Sequence, residues 1–276
     1  VIRVELGKVF RRPRTLVSVG LLCLLPIIVA IFLATTHIAP PPGQGAAFLS
    51  AVLNNGELYP AAALALVLPI FLPVAVAVFA GDAVAGEAST GTLRYLLIRP
   101  VGRGRLLLAK LIAVVVFVIF AIFLVVVTAL ITGVLLFGTG HAAAVGQPGG
   151  LTSLSGNALS PSQLILRLLG AIGYIVLSML GVGAVALLFS TLTDSALGAA
   201  LGTLAVLIAS EVLDTLDAAS SVRPYLLTNY WLSWVDFFRD PVFWNNIERG
   251  AGLQVVYVVV LLGAAWANFS TKDITS

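Results

Sequence analysis

Six long apolar runs restrict what this chain can become more than any other feature of its sequence. They lie at 16–34, 60–80, 106–137, 164–190, 196–213 and 251–269. An α-helix rises about 1.5 Å per residue, so roughly 20 apolar residues cross the ~30 Å hydrocarbon core of a bilayer. Only 10% of the chain is charged and 60% is hydrophobic. A soluble domain carries charge on about 25% of its residues, so most of this surface is expected to face lipid. The runs do not alternate polar with apolar residues, which argues against a β-barrel. The third run exceeds what a bilayer needs and is expected to tilt, or to extend past the membrane near Lys110. The stretch 164–213 is too long for one crossing and breaks at Ser190-Thr191-Leu192-Thr193-Asp194-Ser195, where Asp194 or Ser195 can cap the next helix. The basic lead and length of the first run suit an anchor rather than a signal peptide, whose apolar segment is about 7–15 residues.

Basic residues set the expected orientation. Arg3, Lys8, Arg11, Arg12, Arg14, Arg94, Arg99, Arg103, Arg105, Lys110 and Lys272 fall on one side, 11 of the 15 Lys and Arg residues. Arg167, Arg223, Arg239 and Arg249 fall on the other. The positive-inside rule then places both termini in the cytoplasm. Residues 1–15 interleave apolar Val1, Ile2, Val4, Leu6, Val9 and Phe10 with charges. That pattern suits an interfacial helix with its cations near anionic headgroups, or simply a basic flank, and Pro13 turns the chain into the membrane.

The two long outer segments differ in kind. Residues 138–163 are rich in Gly, Ser and Ala and read as a flexible loop. Residues 214–250 gather Tyr225, Tyr230, Trp231, Trp234, Phe237, Phe238, Phe243 and Trp244. Short helices that lie in or dip into the outer leaflet are expected there, as an aromatic belt or as part of an outer gate with Glu211.

Familiar chemistry is scarce. The only Gly-Lys pair, Gly7-Lys8, is followed by Val9, so the phosphate-binding loop G-x-x-x-x-G-K-[ST] is missing. His37 and His141 stand in different segments without ligating neighbours, and the single Cys23 lies in an apolar run. No nucleophile–base pattern stands out. The basic residues sit at span ends, where topology explains them without nucleic acid. Ionisable groups inside the spans are nearly absent, which counts against ion-coupled transport. Glu211 is the main exception, and Arg167 reads as a snorkelling side chain at the outer end of span four. Pro26, Pro69 and Pro73 are expected to bend their helices. Gly198-x-x-x-Gly202 allows close helix approach, either in a dimer or within the chain.

Between spans two and three runs the stretch Gly81 to Arg105. A short helix is predicted over Thr92–Arg99, opened after Gly91 and stopped by Pro100. Leu93, Leu96 and Leu97 share one face, a ridge suited to a groove on another protein or to lipid. Glu87, Gly91-Thr92-Leu93, Leu96-Leu97, Pro100, Arg103 and Lys110 resemble the E-x-x-x-G-T-L-x-x-L-L-x-x-P-x-x-R pattern, with its following Lys, of ABC-2-type transporter permeases. The opening Glu5-x-x-Lys8-x-x-Arg11-Arg12-Pro13 and the tail Asn268-Phe269-Ser270-Thr271-Lys272-Asp273-Ile274 are similar to that family's ends.

The resemblance implies an all-α integral membrane protein, a single permease domain over 1–276. It has six transmembrane helices, an N-terminal amphipathic interfacial helix, a cytoplasmic coupling helix between spans two and three, and short outer helices before span six. It implies a coupling region of Glu87, Gly91, Thr92, Leu93, Arg94, Leu96 and Leu97, docking on a separate ATPase. Two ATPases and two permease chains, as a homo- or heterodimer, would make an exporter in a bacterial inner membrane. ATP and Mg would bind in the ATPase and no cofactor in this chain. Gly198 and Gly202 are the candidates for dimer packing, and Glu211, Tyr230, Trp231 and Trp234 for the outer gate. Family cargoes include drugs, lipids and polysaccharides, so a hydrophobic drug or lipid-like compound is one candidate class. Two other classes compete: an ATP-independent secondary transporter or channel, and a non-transporting assembly or immunity factor.

Overall fold

The computed structural model describes residues 2–38, 48–53, 55–89, 103–139, 153–155, 157 and 159–271. Helix α1 (Ile2–Arg11) ends at Arg12, whose extended backbone lets Pro13 open α2 (Pro13–Thr36) in the first helical turn. A short α3 (Leu49–Val52) and a 3-10 turn (Gly56–Leu58) lead into α4 (Tyr59–Val67), followed by α5 (Phe71–Ser89) and α6 (Arg103–Phe137). Then come α7 (Pro161–Leu192), α8 (Ala196–Thr215) and α9 (Trp244–Thr271). Three 3-10 segments, Asp217–Ala219, Arg223–Tyr225 and Trp231–Phe238, separate α8 from α9. No strand occurs among the described residues. Six helices (α2, α5, α6, α7, α8 and α9) are long and apolar enough to cross a membrane.

The second expected span takes a different form. In place of one helix over 60–80, the chain makes α4, a turn at 68–70, and an α5 that runs on to Ser89. Pro69 has no N–H for the Ala65 carbonyl and Pro73 none for the Pro69 carbonyl, so two consecutive turns lose a rung. The hydrogen bonds from Leu68 to Leu64 and from Val74 to Ile70 bracket the break. Beyond residue 80, Asp82 and Glu87 stay helical because both carboxylates have cationic partners on other helices. The stretch expected to be loop from Gly81 therefore stays helical to Ser89, and α6 begins at Arg103.

Packing ranks the helices. The most apolar window of α7 is 61% buried and that of α5 56%, against 17% for α9, so α7 and α5 form the centre and α9 the flank. At their crossing, the Ser190 hydroxyl of α7 donates to the Gly81 carbonyl of α5 and accepts from Val84 and Ala85 N–H. Gly81 keeps α8 close: a Cβ there would sit 3.0 Å from the Ala200 nitrogen. Helix α2 packs on α6, and the Tyr59 hydroxyl donates to the Pro26 carbonyl of α2.

Helix ends follow local chemistry. Ser160 and Gln163 form a reciprocal capping box at the start of α7. Of the two candidate caps for α8, Ser195 takes the role, its oxygen accepting from Gly198 N at 3.1 Å. Ser195→Ala is expected to lower stability by about 1 kcal/mol, read as a small fall in apparent melting temperature in detergent.

Candidate functional site

At the α1 end of the bundle, four charged side chains from three helices meet, three of them buried and Lys8 27% exposed. Glu5 and Lys8 lie three residues apart on α1, and their ion pair is 2.6 Å long. Lys8 also reaches Glu87 of α5 at 2.5 Å. Glu87 is held from its other oxygen by Lys110 of α6 at 2.7 Å, and Lys110 lies 3.9 Å from Glu5. The Lys110 ammonium donates further to the Ala83 carbonyl of α5. The side chains of Lys110 and Glu87 are only 1% and 5% exposed. Two cations and two carboxylates leave the group neutral, the condition under which buried charge is tolerated. Burial is the largest single effect on Lys8 and lowers its pKa, but hydrogen bonds and charge from Glu5 and Glu87 together exceed it. The net shift is upward, so Lys8 stays cationic at neutral pH.

A second set of contacts flanks the first. Arg12 pairs with Asp82 of α5, and Arg14 approaches the same carboxylate at 3.4 Å. Phe79 of α5 stacks on Phe117 of α6 with centroids 4.3 Å apart, and Phe10 of α1 meets Phe120 edge-on at 5.0 Å. Val84, Leu106, Leu107, Ala265 and Phe269 form a small apolar cluster joining α5, α6 and α9. Asn268 of α9 ties it to α7 by donating to the Thr191 carbonyl at 3.0 Å. Both stems of the α5–α6 connection are thereby fixed, one of them through Glu87.

Of the coupling residues expected from sequence, Glu87 is among the described residues and lies in this assembly. Gly91, Thr92, Leu93, Arg94, Leu96 and Leu97, with the helix expected over 92–99, lie outside the described residues. Lys110, expected near a span end reaching past the membrane, is instead buried on α6 with Glu5 and Glu87. Sequence reasoning grouped Glu5, Lys8, Glu87 and Lys110 in one resemblance without bringing them into contact. A signal was present, because Ala85-Gly86-Glu87-Ala88 and Leu108-Ala109-Lys110-Leu111 each set one charge among small or apolar residues. Such a charge needs a partner. Asp82, Ser190 and Gln254 were missed for the same reason.

The opposite end is organised by the Trp231–Phe238 segment. Trp231 and Trp234 are 3% and 0% exposed, so they point into the bundle and not outward as a belt. Trp234 packs near Phe48 and Phe238, with both centroid separations 6.1 Å. Tyr230 is half-buried, and its carbonyl accepts from the Tyr174 hydroxyl. The exposed aromatics of residues 214–250 are Tyr225, Phe243 and Trp244. Glu211 is exposed next to buried Ser210, whose hydroxyl shares a hydrogen bond with Thr228. Arg167, read from sequence as a snorkelling side chain, donates to the Arg239 carbonyl at 2.9 Å and pairs with Asp240 at 3.3 Å, with its side chain 12% exposed. Part of the expected flexible loop 138–163 is tied here too, since Leu154 N–H donates to the Phe238 carbonyl. Buried Gln254 of α9 donates to the Leu227 carbonyl at 2.7 Å. Of the two dimer candidates, Gly202 faces Phe189 of α7, whereas Gly198 is exposed beside its own capping turn.

Residues 23–275 match the model of a family described as "Protein of unknown function (DUF2705)". A search of curated proteins finds no match.

Proposed function

We propose that this chain, which belongs to the DUF2705 family, is the membrane-spanning permease subunit of an ATP-driven exporter. It forms the substrate path in a bacterial inner membrane and is driven by a separate ATPase. The observation that carries the reading is the clamp of Glu87 between Lys8 and Lys110. A loop that receives mechanical work from a partner must pass it to the helices at its base. Glu87 stands on α5, four residues before Gly91, and ties α5 to α1 through Lys8 and to α6 through buried Lys110. In this reading ATP and Mg bind in the partner, consistent with a sequence that lacks the G-x-x-x-x-G-K-[ST] pattern.

In this reading the positive-inside rule sets the α1 end and the 90–102 segment in the cytoplasm. Helix α1 lies along the inner leaflet, with Ile2, Val4 and Phe10 exposed towards lipid. Leu93, Leu96 and Leu97 fill a groove on the ATPase, and a second permease chain completes the path. The inward-facing Trp231 and Trp234 close the outer end.

Purification of the tagged chain from native membranes should bring with it an ATPase that carries the G-x-x-x-x-G-K-[ST] loop. Leu93→Asp places a charge in the apolar contact, and should reduce the recovered ATPase at least about ten-fold, as losing a contact residue worth about 2 kcal/mol would. Elution of the permease should not change. Recovery of the unaltered chain without any such ATPase would contradict the reading.

A further inference from the structure

A crevice of about 310 Å³ opens between the start of α2, the middle of α5 and the start of α8. Its rim carries Arg12, Arg14 and Asp82, with Thr15 and Ser18 one turn further along α2. The other lining residues are apolar: Val78, Phe79, Phe117, Leu197 and Ala200, of which Phe117 and Ala200 are buried. Two guanidinium groups face one carboxylate, so the rim keeps an excess positive charge. Arg14 is free to turn outward, its side chain being 79% exposed and its contact with Asp82 long, at 3.4 Å. The neighbouring α2 surface continues apolar through exposed Leu16, Val17 and Leu21, and α8 contributes exposed Leu197 and Leu201.

A charged rim above an apolar slot has the polarity of one membrane lipid, with a headgroup at the level where Pro13 starts α2 and an acyl chain below. Basic pockets between helices at a membrane face recognise anionic headgroups in this way. The volume is at the low end of ligand sites, enough for the part of an amphiphile next to its headgroup. We infer that this crevice is a binding site for one anionic phospholipid, its phosphate against Arg14 and Arg12 and the upper part of an acyl chain along Val78, Phe79 and Leu197. The site requires only that α2 enter a bilayer at Arg12–Arg14, and it does not depend on an ATPase partner.

Native mass spectrometry of the full chain, released from phosphatidylcholine nanodiscs containing a minor fraction of phosphatidylglycerol, tests the site. One phosphatidylglycerol per chain should be retained in preference to phosphatidylcholine. Arg14→Glu should reduce that preference at least about five-fold, the factor for about 1 kcal/mol per basic residue near a membrane surface. Val78→Trp fills the slot and should lower retention without touching the charge. Inorganic phosphate at millimolar concentration should not displace the lipid, because it lacks the chain. Equal retention of the two lipids by the unaltered chain would overturn the inference. So would an unchanged preference in Arg14→Glu with elution preserved, or displacement by phosphate alone. If the crevice is instead a contact between two copies of the chain, Val78→Trp changes the oligomeric state and leaves lipid retention unaltered, which also overturns it.

Discussion

Lys110→Met is expected to cost about 3–5 kcal/mol, because it removes one partner from a buried ion pair and leaves the other behind. Glu87 and Glu5 would then share Lys8 alone, and the buried group would change from neutral to an unmatched negative charge. Glu87→Gln produces the opposite imbalance, with Lys110 left to Glu5 at 3.9 Å. The double variant Glu87→Gln/Lys110→Met restores neutrality and keeps the Glu5–Lys8 pair, so it should recover most of the lost stability. Apparent melting temperature in detergent reads this directly, and limited trypsin digestion at Lys8 and Arg11 reports whether α1 stays docked. Similar losses for the single and double variants would mean that packing, not charge balance, holds this end together. In the proposed reading the double variant, although it recovers stability, should still weaken coupling to an ATPase, because residue 87 would no longer be paired by charge to α1 and α6.

Gly133→Val should be nearly as damaging, at the opposite end and for a steric reason. A Cβ at Gly133 would lie 2.5 Å from the Gly56 carbonyl oxygen and 2.6 Å from the Tyr59 Cβ. The first contact is with backbone, which cannot move aside as a flexible side chain can. Gly56 N–H also donates to the Gly138 carbonyl at 3.2 Å, so separating the two segments loses that bond as well. The expected cost is about 3 kcal/mol, at the upper end of overpacking, and Gly133→Ala should already show much of it. Gly173→Ala is the matched control, since a Cβ there meets nothing within 4 Å, and it should be neutral or slightly stabilising. Equal behaviour of the two glycines would contradict the close approach of α6 to the Gly56–Leu58 turn.

Five of the six long helices were legible because an apolar run between polar or charged flanks states its own length. Their observed bounds lie within about seven residues of the apolar edges, the largest difference being the start of α9 at Trp244 against an expected 251. The second run was misread because hydropathy stops at charge, whereas a helix stops only when its backbone or its charges are unsatisfied. Asp82 and Glu87 look like loop residues until Arg12, Lys8 and Lys110 are brought to them, and those partners are 70, 79 and 23 residues away in sequence. Pro69 and Pro73 carried the bend plainly, since a missing N–H is a local property. The buried Trp231 and Trp234 were not legible as core: the same residue types serve a membrane interface equally well, and only the packing against Phe48 and Phe238 separates the two. The clamp was half legible. Its four residues could be picked out, but their convergence depends on how α1 folds back on α5 and α6.

The proposed function requires residues 90–102, between α5 and α6, to touch an ATPase. Placing single cysteines at Leu93, Leu96 and Arg94 in a Cys23→Ser background, and cross-linking in native membranes with a short bifunctional reagent, tests it most directly. Leu93→Cys and Leu96→Cys should each form a covalent adduct with a protein carrying the G-x-x-x-x-G-K-[ST] loop, and the adduct should diminish when Leu97→Asp is added. Adducts from all three positions only with lipid or with other copies of this chain would contradict the claim and remove the ATP-driven reading with it.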